Sequence, residues 1–226
     1  MSFKILFVTA TGAEFDTLKK IRGMIPRDER FYFGDLEIIN LVTGVGSIST
    51  AWTMKQWLSM NGNPDLAINA GIAGSYNMEL IIGDVVMPVS DCFADAGIED
   101  GDTILTLAEA GLSGADEFPY RNGLLYPDEM YHNKFRNILK PVNAISVNTA
   151  TGSVISMRRL IKKYNPDIET MEGATFFYIC SREKIPFLAL RAISNRVEKR
   201  NKNNWNIELA LDNLSEKLND VLLTLK

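Results

Sequence analysis

Short apolar runs, each bounded by Gly, Pro, Asn, Asp or Ser, recur along the chain and predict a set of strands. A hairpin is predicted over residues 31–33 and 36–43, with Gly34-Asp35 as its turn. Each run is too short for a typical helix, and several are apolar at consecutive positions, which favours strands buried on both faces. The other predicted strands are Lys4–Thr9, Leu66–Ala70, Asp84–Val89, Ala144–Val147, Asp167–Met171 and Phe187–Asn195.

Helices are predicted between these strands. One follows Ala10–Glu14, one leads from Ser47 to Asn61-Gly62, one begins after a Ser153 cap and ends near Tyr164, and one spans Glu172–Lys184. A final helix carries one apolar stripe, in steps of three and four, which we expect to pack on the sheet. The stripe comprises Ile207, Leu211, Leu214, Leu218, Val221, Leu222 and Leu225. Strands that alternate with helices predict one α/β domain over residues 1–226, with a largely parallel sheet.

The region beyond Val89, up to about Pro127, is acidic, contains glycine and shows no clear periodicity. No strand or helix is predicted there. Long irregular segments in compact domains are usually functional or interfacial, so we expect this one to lie at a site or an interface.

Composition narrows the class of protein. The chain has 226 residues, is 46% hydrophobic and 23% charged, and carries a formal net charge of -4, which suits a soluble globular domain. This mildly acidic balance gives no reason to expect a nucleic-acid partner. No apolar run approaches the roughly 20 residues of a membrane helix. The first residues predict a strand and no signal peptide.

Cysteine and histidine usage does not favour a metal site or a disulfide framework. Cys92 and Cys180 are far apart in sequence, and His132 is the single histidine. We therefore expect a reducing, cytoplasmic setting.

Three polar residues stand where predicted strands end, which is where open α/β sheets bind ligands. Glu14 follows the first strand, Glu172 begins a helix after another, and Asn195 ends the strand Phe187–Asn195. An asparagine amide donates and accepts hydrogen bonds at once, so Asn195 could read a ligand. Structural explanations stay open for each: an Asx turn for Asn195 and a favourable helix dipole for the glutamates.

Two glycine motifs are less specific. Gly44-Val-Gly46 begins a dinucleotide-binding pattern, but Ser49 stands at the third glycine position, so NAD binding is not favoured. Gly71-Ile-Ala-Gly74 opens a predicted loop in which backbone amides could approach a ligand; a tight turn explains it equally well.

Together these motifs resemble the purine nucleoside phosphorylase-like enzymes. They occur in the family's order and span the chain from about Val8 to Ala210. Glu14 points to the nucleosidase branch, which includes 5′-methylthioadenosine/S-adenosylhomocysteine nucleosidase, and the tail from Ile193 to Asn201 is similar to the futalosine hydrolases. The motifs are Thr43-Gly-Val-Gly46, Asn69-Ala-Gly-Ile-Ala-Gly74, Ile82-Gly-Asp84, Met171-Glu-Gly173 and Arg191-Ala-Ile-Ser-Asn195.

This resemblance implies a three-layer α/β/α fold with a mixed, partly barrel-like central sheet, usually in a homodimer. It implies that water cleaves the N-glycosidic bond of a nucleoside, with no cofactor. In the dimer, we expect residues 95–127 to lie near the partner's site. Which residues hold the non-purine end of the substrate, Arg196 and Arg200 included, stays open.

The resemblance also implies the site residues. Glu14 matches the acid that deprotonates the attacking water, and Asn195 matches the residue that reads the purine. Met171 and Glu172 match the pair beneath and beside the ribose. Backbone near the base and sugar is implied for Ala73, Gly74 and Ala150.

Simple chemistry supports a 6-oxopurine substrate, such as the hypoxanthine of futalosine. Such a base offers an acceptor at O6 and, once protonated, a donor at N7, and the Asn195 amide complements both. Adenine-specific relatives carry aspartate at this position. Glu14 would repel phosphate, which favours a hydrolase over a phosphorylase. Methylthioadenosine nucleosidase, another purine nucleosidase and a non-catalytic nucleoside-binding protein are the alternatives.

Overall fold

The computed structural model describes residues 2–226, except for the side chain of Lys202; Met1 lies outside the described residues. The strands are β1 (Phe3–Thr9), β2 (Ile25–Arg27), β3 (Arg30–Phe33), β4 (Leu36–Val42), β5 (Leu66–Ser75), β6 (Val85–Ser90), β7 (Gly97–Asp100), β8 (Thr103–Thr106), β9 (Lys140–Ser146), β10 (Ile168–Thr170) and β11 (Phe187–Arg196). The helices are α1 (Gly12–Lys19), α2 (Ser47–Asn61), α3 (Glu129–Phe135), α4 (Val154–Tyr164), α5 (Gly173–Glu183) and α6 (Ile207–Leu225).

A nine-stranded mixed sheet forms the centre of the molecule, in the order β10-β9-β6-β11-β5-β1-β4-β3-β2. The pairs β1–β4, β1–β5, β5–β11, β6–β9 and β9–β10 are parallel. The pairs β2–β3, β3–β4, β6–β11 and β5–β10 are antiparallel. Parallel pairing, predicted from strand–helix alternation, is thus found in five of the nine pairs, and the mixed sheet implied by the family resemblance is confirmed.

Part of this sheet closes on itself. β5 pairs with β11 along most of its length, and its last residues, Gly74 and Ser75, also pair with β10. Since β10 is joined back to β11 through β9 and β6, these five strands form a closed ring. This ring is the partly barrel-like element that the resemblance implies.

Successive side chains of a strand point to opposite faces of the sheet, and those of β1 are apolar on both faces. Helices therefore cover the sheet on both sides. Ile5 and Phe7 pack in one core with residues of α1 and α6. Leu6 and Val8 pack in the other with residues of α2 and α5. The result is the predicted α/β/α arrangement. The apolar stripe of α6 is buried from Leu214 to Leu222, as predicted, whereas Ile207 at its start is exposed.

Two strands extend beyond their predicted ends. Gly71–Gly74, predicted as a loop, lies inside β5, which continues to Ser75. β11 continues to Arg196, although its pairing with β5 shifts by one residue between Ile193 and Asn195. This β-bulge at Ser194 aligns Asn195 with Gly74.

The unassigned segment contains regular structure. Residues 97–106 form the antiparallel hairpin β7–β8, whose pairing is independent of the central sheet. Asp91 and Leu125 then pair across the segment through two backbone hydrogen bonds of 3.0 and 2.9 Å. None of the helices among residues 2–226 has the length and apolar character needed to cross a bilayer.

Candidate functional site

One cavity of about 390 Å³ opens where β1, β5, β10 and β11 end. Its walls include all the residues predicted for the site, namely Glu14, Ala73, Gly74, Ala150, Met171, Glu172 and Asn195. Val45 from the loop before α2, and Trp205, Ile207 and Leu211 from the C-terminal region, complete an apolar part of the wall. The predicted residues thus surround a single space, although they are spread over most of the chain.

Glu14 is buried at the start of α1, where Thr11 and Glu14 form a reciprocal capping box. Its Oε2 accepts hydrogen bonds from the backbone N–H of Ala10 (3.0 Å) and Thr11 (2.9 Å) and from the Thr11 hydroxyl (3.0 Å). Its Oε1 accepts from the N–H of Ile72 on β5 at 3.1 Å. These bonds fix the carboxylate against the end of β5.

The close approach of Glu14 to β5 explains one of the glycines. A Cβ atom at position 71 would lie 2.6 Å from Glu14 Oε1. Gly71 therefore keeps space for the carboxylate, and its value here is the missing side chain, not a turn.

Asn195 is also buried, and its amide has a defined orientation. Nδ2 donates to the carbonyl of Arg196 at 2.8 Å, and a carbonyl accepts only, so the NH₂ group must face it. Oδ1 accepts from the hydroxyl of Ser194 at 2.8 Å. In the described part of the chain, these bonds leave the amide one N–H and one acceptor lone pair for a ligand.

Glu172 stands at the N-cap of α5, one residue before the helix begins. Its Oε1 accepts from the N–H of Gly46 at 2.7 Å, so the Gly44-Val-Gly46 motif holds a carboxylate of the site. Burial raises the pKa of Glu172; the Gly46 N–H and Arg191 oppose this shift, and nearby Glu14 adds to it.

Sequence reasoning gave no role to Arg191, which is completely buried behind these carboxylates. Its guanidinium donates to the carbonyls of Asn69 (3.0 Å) and Leu190 (2.9 Å) and to the Asn69 side-chain oxygen. Burial lowers the pKa of Arg191, and Glu172, Glu14 and Asp91 oppose this shift. One buried cation thus balances carboxylates of the site. In the sequence, Arg191 stood out only as a single charged residue within an otherwise apolar strand.

A second residue missed from the sequence is Glu169 on β10, which is buried and lines the cavity. Its Oε2 accepts from the hydroxyls of Tyr76 and Thr151, both at 2.6 Å, and its Oε1 accepts from the N–H of Thr151 at 2.8 Å. Burial, followed by the charge of Glu169, raises the pKa of Tyr76. These bonds fix the loop that carries Ala150 and Thr151 to the cavity wall.

Asp91 lies beneath the start of α5. Its Oδ1 accepts from the Ser146 hydroxyl (3.0 Å) and from the N–H of Cys92 (2.8 Å), whereas Oδ2 has no hydrogen-bond partner in the described part of the chain. Burial raises the pKa of Asp91 to about 7. The Ser146 hydroxyl also accepts from the N–H of Ala174 at 2.7 Å, so it links Asp91 to the helix that follows Glu172.

Other candidate groups do not join the cavity. Arg196 donates to the carbonyls of Asn77 and Met78, and Arg200 is exposed. Both cysteines are free and buried. Within residues 2–226, no group of three or more His, Cys, Asp or Glu side chains is placed to hold a metal ion.

The chain belongs to the phosphorylase superfamily, whose family model matches residues 4–225. This confirms the membership predicted from the motifs.

Relatives within this family are named nucleosidases or hydrolases. The chain is similar to the 5′-methylthioadenosine/S-adenosylhomocysteine nucleosidase of Buchnera aphidicola, with 29% identity over 72% of this chain and 68% of the relative. It is similar to the futalosine hydrolase of Acidothermus cellulolyticus, with 28% identity over 95% of this chain and 88% of the relative.

Solved structures share the fold. A mutant of Helicobacter pylori methylthioadenosine nucleosidase with 5′-methylthioadenosine in its active site has a TM-score of 0.80 at 18% identity, over 98% of this chain and 99% of that one. The futalosine hydrolase of the same organism has a TM-score of 0.79 at 17% identity, over 97% of both chains. Both matches confirm the nucleoside phosphorylase-like architecture.

Proposed function

We propose that this protein is a nucleosidase that hydrolyses the N-glycosidic bond of futalosine, a step of menaquinone biosynthesis that releases hypoxanthine and dehypoxanthine futalosine. The observation that carries the proposal is the Asn195 amide, held with a free donor and a free acceptor in the same cavity as the Glu14 carboxylate. The relatives named futalosine hydrolase support it. Free, buried cysteines suit the cytoplasmic setting that goes with this function.

In this mechanism Glu14 activates water. Within residues 2–226, Oε2 of Glu14 accepts three hydrogen bonds and Oε1 accepts one, so Oε1 retains a lone pair for a proton of the nucleophile. The water oxygen bonds to the anomeric carbon of the ribose as the carbon–nitrogen bond breaks, and the proton passes to Glu14.

Asn195 stabilises the departing base. The electron pair of the broken bond flows into the purine, which gains a proton at N7 from a second water; the hydroxide left is neutralised by the proton held on Glu14, so one water is consumed overall. The free N–H of Asn195 then donates to O6, and Oδ1 accepts from the new N7–H. Adenine would place its amino group against the amide N–H, leaving a buried donor unpaired at a cost of about 1–3 kcal/mol.

The remaining predicted residues bind the sugar and the base. Glu172 accepts hydrogen bonds from the ribose hydroxyls, and its carboxylate stabilises the cationic character that the sugar gains as the bond breaks. Met171 packs beneath the ribose. The backbone of Ala73, Gly74 and Ala150 contacts the base and sugar. No step requires a cofactor.

A phosphorylase is a weaker candidate because Glu14 occupies the backbone N–H groups of Ala10, Thr11 and Ile72. These are the donors that an oxyanion would need, and a carboxylate there repels phosphate. A 5′-methylthioadenosine/S-adenosylhomocysteine nucleosidase is the second candidate, supported by the relative from Buchnera. Asn195 disfavours it.

We also propose that the protein is a homodimer in which residues 95–127 lie near the partner's site. Support comes from exposed apolar side chains: Val45, which lines the cavity, is 54% exposed, and on α2 Ile48 is 84% and Trp52 71% exposed. Phe118, within the segment 95–127, is 59% exposed. Large exposed apolar patches of this kind commonly mark interfaces.

Incubation of the purified protein with futalosine, inosine and methylthioadenosine, each with and without phosphate, tests the proposed reaction. We expect hypoxanthine from futalosine, at a rate that phosphate does not change, with chromatography identifying the products. Adenine release from methylthioadenosine at a higher kcat/KM than hypoxanthine release from futalosine would refute the proposal.

A further inference from the structure

Three residues on neighbouring strands form a row across the floor of the cavity. Gly74 on β5 pairs with Glu169 of β10 on one side and, because of the bulge at Ser194, with Asn195 of β11 on the other. Side chains directly opposite one another on paired strands project from the same face of a sheet. Both Glu169 and Asn195 line the cavity, so this face is the ligand face.

The missing side chain of Gly74 keeps the centre of this row open. A Cβ atom there would lie 3.2 Å from Nδ2 of Asn195 and 2.9 Å from a methyl carbon of Val197. Since neighbouring strands lie about 4.8 Å apart, the Cα atoms of Glu169 and Asn195 are separated by about 10 Å. The Asn195 amide and the Glu169 carboxyl group thus belong to residues that flank the open position at Gly74 on the ligand face.

The carboxyl group of Glu169 can accept one more hydrogen bond. The Thr151 N–H and the hydroxyls of Tyr76 and Thr151 all donate to it, a pattern that suits an acceptor-only group. Oε2 receives both hydroxyl bonds, whereas Oε1 receives only the Thr151 N–H from the described residues. Oε1 therefore retains an acceptor lone pair.

We propose that Glu169 accepts a hydrogen bond from N1–H of a 6-oxopurine, so that the base is read on two edges, by Glu169 at N1 and by Asn195 at O6 and N7. This inference rests on the proposed function, since it assumes that the base occupies the cavity. O6 then points toward the space above Gly74, and the two side chains lie on either side of it.

This arrangement makes Glu169 a specificity-determining residue. A 6-oxopurine carries a proton on N1 and can donate it, whereas adenine has a lone pair on N1. With adenine, the Glu169 carboxylate would face that lone pair, just as the Asn195 N–H would face the amino group. Two independent mismatches thus oppose a 6-aminopurine.

Calorimetric titration of the purified protein with free hypoxanthine, 1-methylhypoxanthine and adenine tests the inference without requiring turnover. We expect the wild type to bind hypoxanthine at least about tenfold more tightly than either other base, because each lacks the N1–H donor. In Glu169→Gln a neutral acceptor replaces the carboxylate, and we expect the preference for hypoxanthine over adenine to fall by about tenfold.

Tyr76→Phe is the matched control. It removes one hydrogen bond from Glu169 but leaves the carboxylate in place, and Tyr76 is not among the cavity-lining residues. If Glu169 only holds the loop at Thr151, both variants will lower thermal stability and neither will change the base preference. An unchanged hypoxanthine-to-adenine ratio in a folded Glu169→Gln protein would overturn the inference, and so would equal wild-type binding of hypoxanthine and 1-methylhypoxanthine.

The two proposals can fail separately. If the protein hydrolyses futalosine but its preference for hypoxanthine over adenine does not depend on Glu169, this inference is refuted and the proposed reaction stands. If the protein does not cleave futalosine but its preference for hypoxanthine depends on Glu169, the proposed reaction is refuted and this inference stands.

Discussion

At the scale of single residues, the side-chain amide of Asn195 is the group that we propose acts most directly on substrate choice. Its neighbours fix which end donates: the Arg196 carbonyl holds the NH₂ group, and the Ser194 hydroxyl holds the oxygen. An aspartate has nearly the same shape but no N–H, so it would lose both the hydrogen bond to the Arg196 carbonyl and the donor offered to the base. We therefore expect Asn195→Asp to change specificity and, because the Arg196 carbonyl loses its partner, to lower stability by about 1–3 kcal/mol.

The first prediction is that Asn195→Asp lowers hypoxanthine release relative to adenine release by on the order of 10- to 100-fold. An ionised aspartate faces the O6 lone pairs with no proton to donate, whereas it can accept from the amino group of a 6-aminopurine. The measurement is kcat/KM for futalosine and for its 6-amino analogue with both proteins. An unchanged preference would leave Asn195 as a residue that only shapes the end of β11.

The second prediction is that Glu14→Gln lowers kcat by roughly 10²-fold or more, the usual size of a general-base effect, and leaves ligand binding nearly intact. The amide cannot take the proton of the attacking water. Steady-state kinetics with futalosine and calorimetry with hypoxanthine separate the two quantities. Asp16→Asn, an exposed change on the same helix, serves as the control. If Glu14→Gln kept the wild-type kcat, another residue would have to be the general base.

Residue type and position along the chain singled out Glu14, Glu172 and Asn195 as candidates, because each is polar and stands at the end of a predicted strand, and the structure places all three at one cavity. Glu169 and Arg191 were missed for the opposite reason. Both lie inside strands, and only the folded structure shows that their side chains are buried beside the cavity or behind it.

At the scale of secondary structure, the predicted strand positions largely agree with the structure, but the strand ends do not. β5 was expected to stop before Gly71, because glycine and alanine weaken a strand signal. In the structure these small residues continue the strand where Glu14 and Asn195 approach its backbone. The hairpin β7–β8 was missed because its short strands are largely exposed and show no apolar alternation.

The start of α5 depends on a buried acid, which makes stability sensitive to pH. Burial raises the pKa of Asp91 to about 7 from an ordinary value of 3.8, while Arg191 opposes the shift and Glu172 adds to it. The folded state therefore binds a proton that the unfolded chain releases. This contribution to stability is complete below about pH 4 and is lost as pH rises through about 7.

The third prediction follows from this loss of stability with rising pH. We expect the thermal midpoint of the wild type to fall relative to that of Asp91→Asn as pH rises from about 5 to about 8, because the variant cannot ionise at this position. Differential scanning calorimetry at matched ionic strength gives both curves. The exposed Asp102→Asn provides the control. Parallel curves for wild type and Asp91→Asn would show that Asp91 does not titrate in this range.

At the scale of the whole molecule, helix α2 begins two residues after Val45, which lines the cavity. α2 exposes Ile48 and Trp52, and the segment 95–127 contributes no strand to the central sheet. A partner that covers α2 would also narrow the entrance of the cavity near Val45. Assembly and substrate access are therefore expected to be connected.

The fourth prediction concerns this assembly. Light scattering at micromolar concentration should give about twice the chain mass of 25.3 kDa. Trp52→Glu should shift the mass toward the monomer, because a charge would be buried in the interface. Leu223→Glu, an exposed position on α6 in the opposite layer, should leave the mass unchanged. A wild-type mass near that of one chain would count against the dimer.

The hydrogen bonds around Glu14 have one more consequence. The carboxylate is in effect an anion tethered to a site built from the N–H groups of Ala10, Thr11 and Ile72. Glu14→Ala would remove this carboxylate and leave the three N–H groups available to a small anion from solution. Formate could then restore water activation, and phosphate could enter as a competing nucleophile. Turnover of Glu14→Ala that rises with added formate, or ribosyl phosphate formed only in phosphate buffer, would show that the choice between hydrolysis and phosphorolysis in this fold depends on which anion fills one backbone site.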